Sequence, residues 1–188
     1  MPSILTTPPA AEPVSLELAK AHLRIQSSDD DGVISTLIVA ARRHVEAKTG
    51  LALVSQGWSQ FLDQWPESGI VELATAPLVS VASIKVYDDD DVATAIDASL
   101  YFADMVSRPP RVITRTGRCW PVPGRAANGI EIAFTAGFGD GAADIPEDLR
   151  EAMLQLVAHW FESRGTGREP DPPLTVATIL AGYREMRL

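Results

Sequence analysis

Ile130-Glu-Ile-Ala-Phe-Thr-Ala-Gly-Phe-Gly-Asp140 alternates apolar and polar side chains as a half-buried strand does. After a short acidic loop, Pro146-Glu-Asp-Leu-Arg-Glu-Ala-Met-Leu-Gln-Leu-Val-Ala-His-Trp-Phe161 changes to the helical period. Leu149, Met153, Leu156, Val157 and Trp160 fall on one stripe, with Glu147, Asp148, Arg150, Glu151 and Gln155 largely outside it. Asp144, Pro146 and Glu147 mark the start, since a carboxylate near the N-cap, a first-turn proline and acid at the positive end of the helix dipole each stabilise that terminus. The stretch carries packing and no chemistry.

Upstream, Val14-Ser-Leu-Glu-Leu-Ala-Lys-Ala-His-Leu-Arg24 predicts a short helix capped by Ser15, with Leu16, Ala19 and Leu23 on one side. Ser27-Ser-Asp-Asp-Asp31 starts a second helix. It sets Ile34, Leu37, Ile38, Ala41 and Val45 on a stripe, places Arg42, Arg43, Glu46 and Lys48 mostly opposite, and ends at Gly50. From Ser55 the period moves towards two, and strands are expected near residues 57–62, 70–73, 81–87, 100–103, 111–116 and 130–136. Downstream of a proline linker at 170–173, residues 174–188 offer a last short helix or tail. The expected fold is α+β. A helical body of residues 14–54 and 144–188 carries a small antiparallel β insertion, 55–143, within a single domain, 14–188, behind a proline-rich flexible arm, 1–13.

Composition narrows the function. The 188 residues are 46% apolar and 22% charged, ordinary for a globular protein, and no apolar run approaches the roughly 20 residues of a membrane span. The first residues lack the basic start and apolar centre of a secretory signal. Cys119 is the only cysteine, which excludes an internal disulfide and a multi-cysteine metal site and fits a cytoplasmic protein. A net charge of −9 argues against a general electrostatic grip on DNA, because that grip comes from Lys and Arg. The same charge suits a wall past which DNA slides.

The chemical candidates mostly have plain readings. Asp88, Asp89, Asp90 and Asp91 lack the alternate spacing, turn glycine and distal Glu of a calcium loop and read as a solvated hairpin tip. Asp29 to Asp31 read as helix-start carboxylates. Gly137-Phe-Gly-Asp-Gly141 lacks the spacing of a dinucleotide loop and the Lys-Ser/Thr of a P-loop, and its neighbours are acidic. His22, His44 and His159 sit on three separate helices. Cys119 has no local base and reads as a small buried thiol beside Trp120, while Trp65-Pro66 and Trp120-Pro121 read as core plugs. Arg108, Arg111, Arg115, Arg118 and Arg125 concentrate positive charge, with Arg111 and Arg115 on one strand face. A solvated face, an ion-paired contact with an acidic neighbouring subunit, and nucleic-acid phosphate contact all remain open for them.

In order, several of these pieces resemble the head-tail connector (adaptor) proteins of tailed bacteriophages and gene transfer agents. The resemblance runs from about Pro13 to the C-terminus. It rests on the first helix to Arg24, Leu37-Ile-Val-Ala-Ala-Arg-Arg-His-Val-Glu-Ala-Lys-Thr-Gly50, Trp58 with Trp65-Pro66, and Pro77-Leu-Val-Ser-Val-Ala-Ser-Ile-Lys-Val-Tyr87. Phe134-Thr-Ala-Gly-Phe-Gly139 with Ile145-Pro146, His159-Trp-Phe-Glu162 and Ile179-Leu-Ala-Gly-Tyr-Arg184 complete it. The resemblance implies a ring of about twelve subunits beneath the portal of a DNA-filled head. Such a ring joins the portal to a stopper or tail and leaves a channel for double-stranded DNA that is not specifically bound, with no catalysis, cofactor, metal or membrane. It also implies assembly in the host cytoplasm and a C-terminal segment that reaches the portal, here Ile179, Leu180, Tyr183 and Arg184. A ring needs two complementary faces, and Arg111 with Arg115 against Asp88 to Asp91 are one candidate pair. The rival readings are a DNA-binding regulator using the N-terminal helices, which needs more cations than Arg42, Arg43 and Lys48 supply, and a small carboxylate enzyme.

Overall fold

A computed structural model describes residues 2–163 and 172–184. The fold is α+β, and the chain divides into two compact units, Met1–Pro9 with Ser55–Phe138 and Ala10–Val54 with Gly139–Leu188. Residues 170, 171 and 185–188 of the expected linker and tail lie outside the described residues.

The first unit is built from strands β1 (Ser3–Thr7), β2 (Gln56–Leu62), β3 (Ile70–Glu72), β4 (Leu78–Tyr87), β5 (Ala93–Ala95), β6 (Tyr101–Asp104), β7 (Arg111–Thr114) and β8 (Ile130–Ala136). They form a five-stranded sheet in the order β1-β2-β8-β4-β5 and a three-stranded sheet in the order β3-β7-β6, with every pairing antiparallel. The alternation of β8 sets the burial. Ile130, Ile132, Phe134 and Ala136 are buried, and the register lays Leu62 and Val86 beside Ile130 and Gln60 and Ile84 beside Ile132. Each such large apolar side chain, fully buried, contributes roughly 2 kcal/mol over an exposed one. Gln60 is polar and only 1% exposed, yet satisfied at both ends: it donates to the Glu72 carbonyl and accepts from the Ala74 N–H, each at 2.8 Å, which ties β2 to the chain leaving β3.

Two strands were not expected. β1 occupies the stretch read as a flexible arm. The prolines lie at its flanks, and Ile4, Leu5, Thr6 and Thr7 are β-formers that pair with β2 in register Ser3 to Gln60. Gly57 allows the approach, since a Cβ there would press on the Thr7 side chain at 3.0 Å. β5 is a three-residue return from the acidic turn, too short for its pattern to register. Trp65 and Trp120 are half-buried rather than core plugs. They stack on each other with ring centroids 4.1 Å apart, and Trp120 donates to the Gly69 carbonyl at 3.0 Å, pinning the β7–β8 connection to the β2–β3 loop.

The second unit holds helices α1 (Leu16–Leu23), α2 (Asp31–Thr49), α3 (Glu147–Glu162) and α4 (Leu174–Tyr183). Ser15 caps α1, its Oγ accepting from the Leu18 N–H at 3.2 Å, and α2 ends at Gly50 in the left-handed region (φ 73°). Ile34, Ile38, Ala41 and Val45 of α2, Leu149, Met153, Leu156 and Val157 of α3, and Val176 and Leu180 of α4 supply the buried side chains. Three details depart from the sequence reading. Trp160 ends the α3 stripe only half-buried, with its ring edge-on to His44 at 5.7 Å. Asp144 caps a separate 3-10 turn, Ala142–Asp144, accepting from the Gly141 N–H at 3.0 Å, and Pro146 takes the N-cap of α3. Arg42 is 6% exposed instead of lying on the polar face. It donates to Glu12 at 2.8 Å and to Glu46 at 2.9 Å, and Glu46 also accepts from the Leu53 N–H at 3.1 Å. Burial opposes the guanidinium's charge, but the two glutamates outweigh it and raise its pKa.

Candidate functional site

The residues singled out from the sequence fall in three places. The first is the end of α4. Leu180 is buried, Ile179 half-buried and Arg184 exposed; the Tyr183 hydroxyl donates to Asp148 at 2.8 Å, and the Arg184 Nε donates to the Lys48 carbonyl at 3.2 Å. Beside them His44, Lys48, Val176, Leu180 and Arg184 line a hollow of about 210 Å³ with an apolar floor and a cationic rim. Burial, and then the Lys48 charge, lower the His44 pKa.

The second place is the β4–β5 turn. Asp88 organises it: its Oδ1 accepts from the Asp90 N–H at 3.0 Å and the Val92 N–H at 2.8 Å, and Asp91 sits at φ 65°. The expected hairpin tip is therefore a self-capped turn with all four carboxylates exposed. Asp91 pairs with Arg125, whose guanidinium lies 4.1 Å over the Tyr87 ring. Gly124 lets the following loop pass close, because a Cβ there would collide with the Asp88–Asp89 backbone.

The third place is the β6–β7 hairpin. By register Phe102, Ile113 and Ile70 form one row on one face of the small sheet, and Asp104, Arg111 and Glu72 form the next. Val71, Val112 and Tyr101 are buried on the other face. Asp104 accepts from the Val106 and Ser107 N–H groups at 3.1 Å each, from the Ser107 hydroxyl at 2.6 Å and from Arg111 Nη2 at 2.7 Å. Ser107 first and Arg111 next hold its carboxyl well below the usual carboxylate range. Arg111 is thus already engaged. Arg115 lies just past the end of β7, and among the described residues the side chains of Arg108, Arg115 and Arg118 enter no ion pair. Cys119 is exposed rather than the buried thiol expected, because its loop is anchored by the neighbouring Trp120 and leaves it outside.

A further cluster had no sequence signal. On the face of the large sheet opposite Ile130 and Ile132, Glu131 accepts from Tyr87 at 2.8 Å and Ser59 at 3.1 Å, with Lys85 3.6 Å away. Burial raises its pKa, and these three partners outweigh burial and lower it. The cluster spans β2, β4 and β8, so only the register assembles it. The Asp104 clamp, by contrast, had a legible cue in the Asp-x-x-Ser spacing of a side-chain-capped turn. Among the described residues no group of three or more His, Cys, Asp or Glu is placed to hold a metal ion, and no helix is long and apolar enough to cross a membrane. The geometry at all three places is that of surfaces held in shape by ion pairs and capped turns.

Residues 13–91 match the family model described as phage gp6-like head-tail connector protein. That match spans under half of the chain. No curated protein sequence matches this chain. Its fold is similar along the whole length to three chains in solved gene transfer agent (GTA) particles. In the neck of an empty GTA particle computed with C6 symmetry the TM-score is 0.85 at 27% identity, covering 100% of this chain and 97% of that one. In the virion of a native GTA particle the values are 0.84 and 25%, with the same coverage. In the neck of a native GTA particle computed with C12 symmetry they are 0.76 and 27%, covering 98% and 97%.

Proposed function

We propose that this chain is a head-tail connector, a structural subunit of the neck of a phage or GTA particle, where it forms a ring at the head-tail junction. The carrying observation is the likeness to neck chains over 100% of the connector's length, including the β unit that the family model reaches only as far as residue 91. In this reading the ring, of twelve subunits, sits beneath the portal protein, meets a stopper or tail-completion protein on its other side, and surrounds passing double-stranded DNA without gripping it, as the net charge of −9 favours. The portal contact is assigned to α4 and its end, Ile179, Leu180, Tyr183 and Arg184, with Leu180 supporting the surface from beneath. The sequence reading of the ring contact sets Arg111 and Arg115 against Asp88 to Asp91, of which Arg111 and Asp91 are already paired within the subunit.

The burial of Arg42 counts against a DNA-binding regulator, because it removes a cation from an already thin supply on α2. Negative-stain imaging and native mass spectrometry of the purified connector, alone and mixed with portal, test the proposal. Rings in either sample are expected. A monomer that neither closes into rings nor binds portal overturns it. Arg184→Glu is expected to weaken portal binding at least tenfold and to leave ring formation intact.

A further inference from the structure

The β6–β7 hairpin presents an apolar surface that a lone subunit has no reason to keep. Phe102 is 53% exposed and Met105 and Val106 are 49% and 92% exposed, and Ile113 and Ile70 beside Phe102 are only half-buried, whereas Val71, Val112 and Tyr101 are buried on the opposite face. These residues are also held still. Asp104 fixes the turn by accepting from two backbone N–H groups, a hydroxyl and a guanidinium, so Met105 and Val106 are displayed at little further cost in ordering. Arg115 and Arg118 lie at the base of the same hairpin, where the Arg115 N–H bonds the Leu100 carbonyl, and their charges are unanswered within the described residues. A rigid apolar row beside free cations is the surface of an interface centre with a polar rim.

The same unit carries the opposite charge. The β4–β5 turn projects Asp89 and Asp90, whose side chains enter no ion pair or hydrogen bond among the described residues, followed directly by Val92, 56% exposed. Asp88 caps this turn and Asp91 is held by Arg125, so it too is fixed in shape. Two different patches on one chain, one acidic with an apolar residue and one cationic with an apolar row, are what a head-to-tail contact uses, and such a contact gives a ring where its rotation closes.

We propose that the β6–β7 hairpin of each subunit receives the β4–β5 turn of the next copy. Val92 packs on the Phe102 row, and Asp89 and Asp90 meet Arg115 and Arg118. The inference rests on the ring reading and corrects its charge pair, since Arg111 is committed to Asp104 and Asp91 to Arg125 and neither is free to lead the contact. The buried apolar row supplies adhesion, and the charges set register and exclude wrong pairings.

The test is a charge swap read by native mass spectrometry of the full-length connector, with and without portal, each variant checked by circular dichroism for a native fold. Arg115→Glu with Arg118→Glu is expected to reduce ring assembly at least tenfold, and so is Asp89→Lys with Asp90→Lys. The chain carrying all four reversals is expected to recover to within about threefold of wild type, because the reversed turn then meets a reversed hairpin. Phe102→Ser is expected to reduce assembly at least tenfold with charge untouched. Rings from wild type together with undiminished rings from both double variants overturn the interface and leave the ring reading standing, as does failure of the fourfold variant to recover. Absence of rings from wild type in both samples overturns the ring reading itself.

Discussion

Replacing Arg42 with methionine removes a guanidinium that is 6% exposed and leaves Glu12 and Glu46 without their cation. The two glutamates differ. The Glu12 side chain is 30% exposed and can turn to water, whereas that of Glu46 is 14% exposed and still accepts from the Leu53 N–H. Breaking a buried pair strands a charge, which costs about 3 to 5 kcal/mol, and the partial exposure of Glu12 places this case near the lower end, at about 3. For a chain of this size that is roughly 10 °C in Tm. The assay is urea unfolding followed by far-ultraviolet circular dichroism at neutral pH. Arg42→Met with Glu46→Gln is expected to recover at least half of the loss, because the amide still accepts from Leu53 but carries no charge. A loss below about 1 kcal/mol for Arg42→Met refutes the reasoning, for that is the scale of a solvated surface pair.

Trp120→Ala removes the stack on Trp65 and the bond to Gly69, at a cost of about 2 kcal/mol for a half-buried aromatic, and is expected to open the β7–β8 connection to trypsin at Arg115, Arg118 and Arg125. Unchanged cleavage rates would show that the stack does not pin the loop. The folded state lowers the His44 pKa, so it favours neutral imidazole; that contribution is complete above the unfolded value of about 6.5 and is lost as pH falls through the folded value. His44→Gln is therefore expected to flatten the decline in Tm on acidification below about pH 6.5, and an identical decline in both proteins would sink the assignment. Asp104 and Glu131 have lowered pKa values, so their stabilisation is complete above the unfolded values near 4 and is lost only as pH falls towards the folded ones. Asp104→Asn is expected to destabilise the hairpin at pH 7, measured by amide exchange at Val106 and Ser107, and to lose less on acidification than wild type; equal exchange at pH 7 would remove the clamp from the account.

Much of the fold was legible because it rests on local rules. Ser15, Gly50 and the periodic stripes of α2 and α3 declare helices, and the alternation of Ile130 to Ala136 declares a strand, through interactions that span only a few residues. β1 escaped because flanking prolines mask five strand-forming residues whose partner lies beyond two helices. The resemblance to head-tail connectors was legible in the order of these pieces, and the family model matches the first part of that order, residues 13–91.

The fate of each charge was not. Arg42 and Arg43 are neighbours on one helix, and only the meeting of Arg42 with Glu12, thirty residues earlier, buries the first and leaves the second in water. Arg111 and Arg115 read alike along one strand, but Asp104 takes the first through the hairpin register, and the second enters no ion pair among the described residues. The sequence alone determined the helices, most strands and the resemblance on which the proposed function rests. The tertiary structure decided which charged groups are already neutralised inside the subunit and which are left for a neighbour. A charge is answered by whatever lies within a few ångströms of it in space, and pairing across sheets and helices is what brings distant residues to that distance.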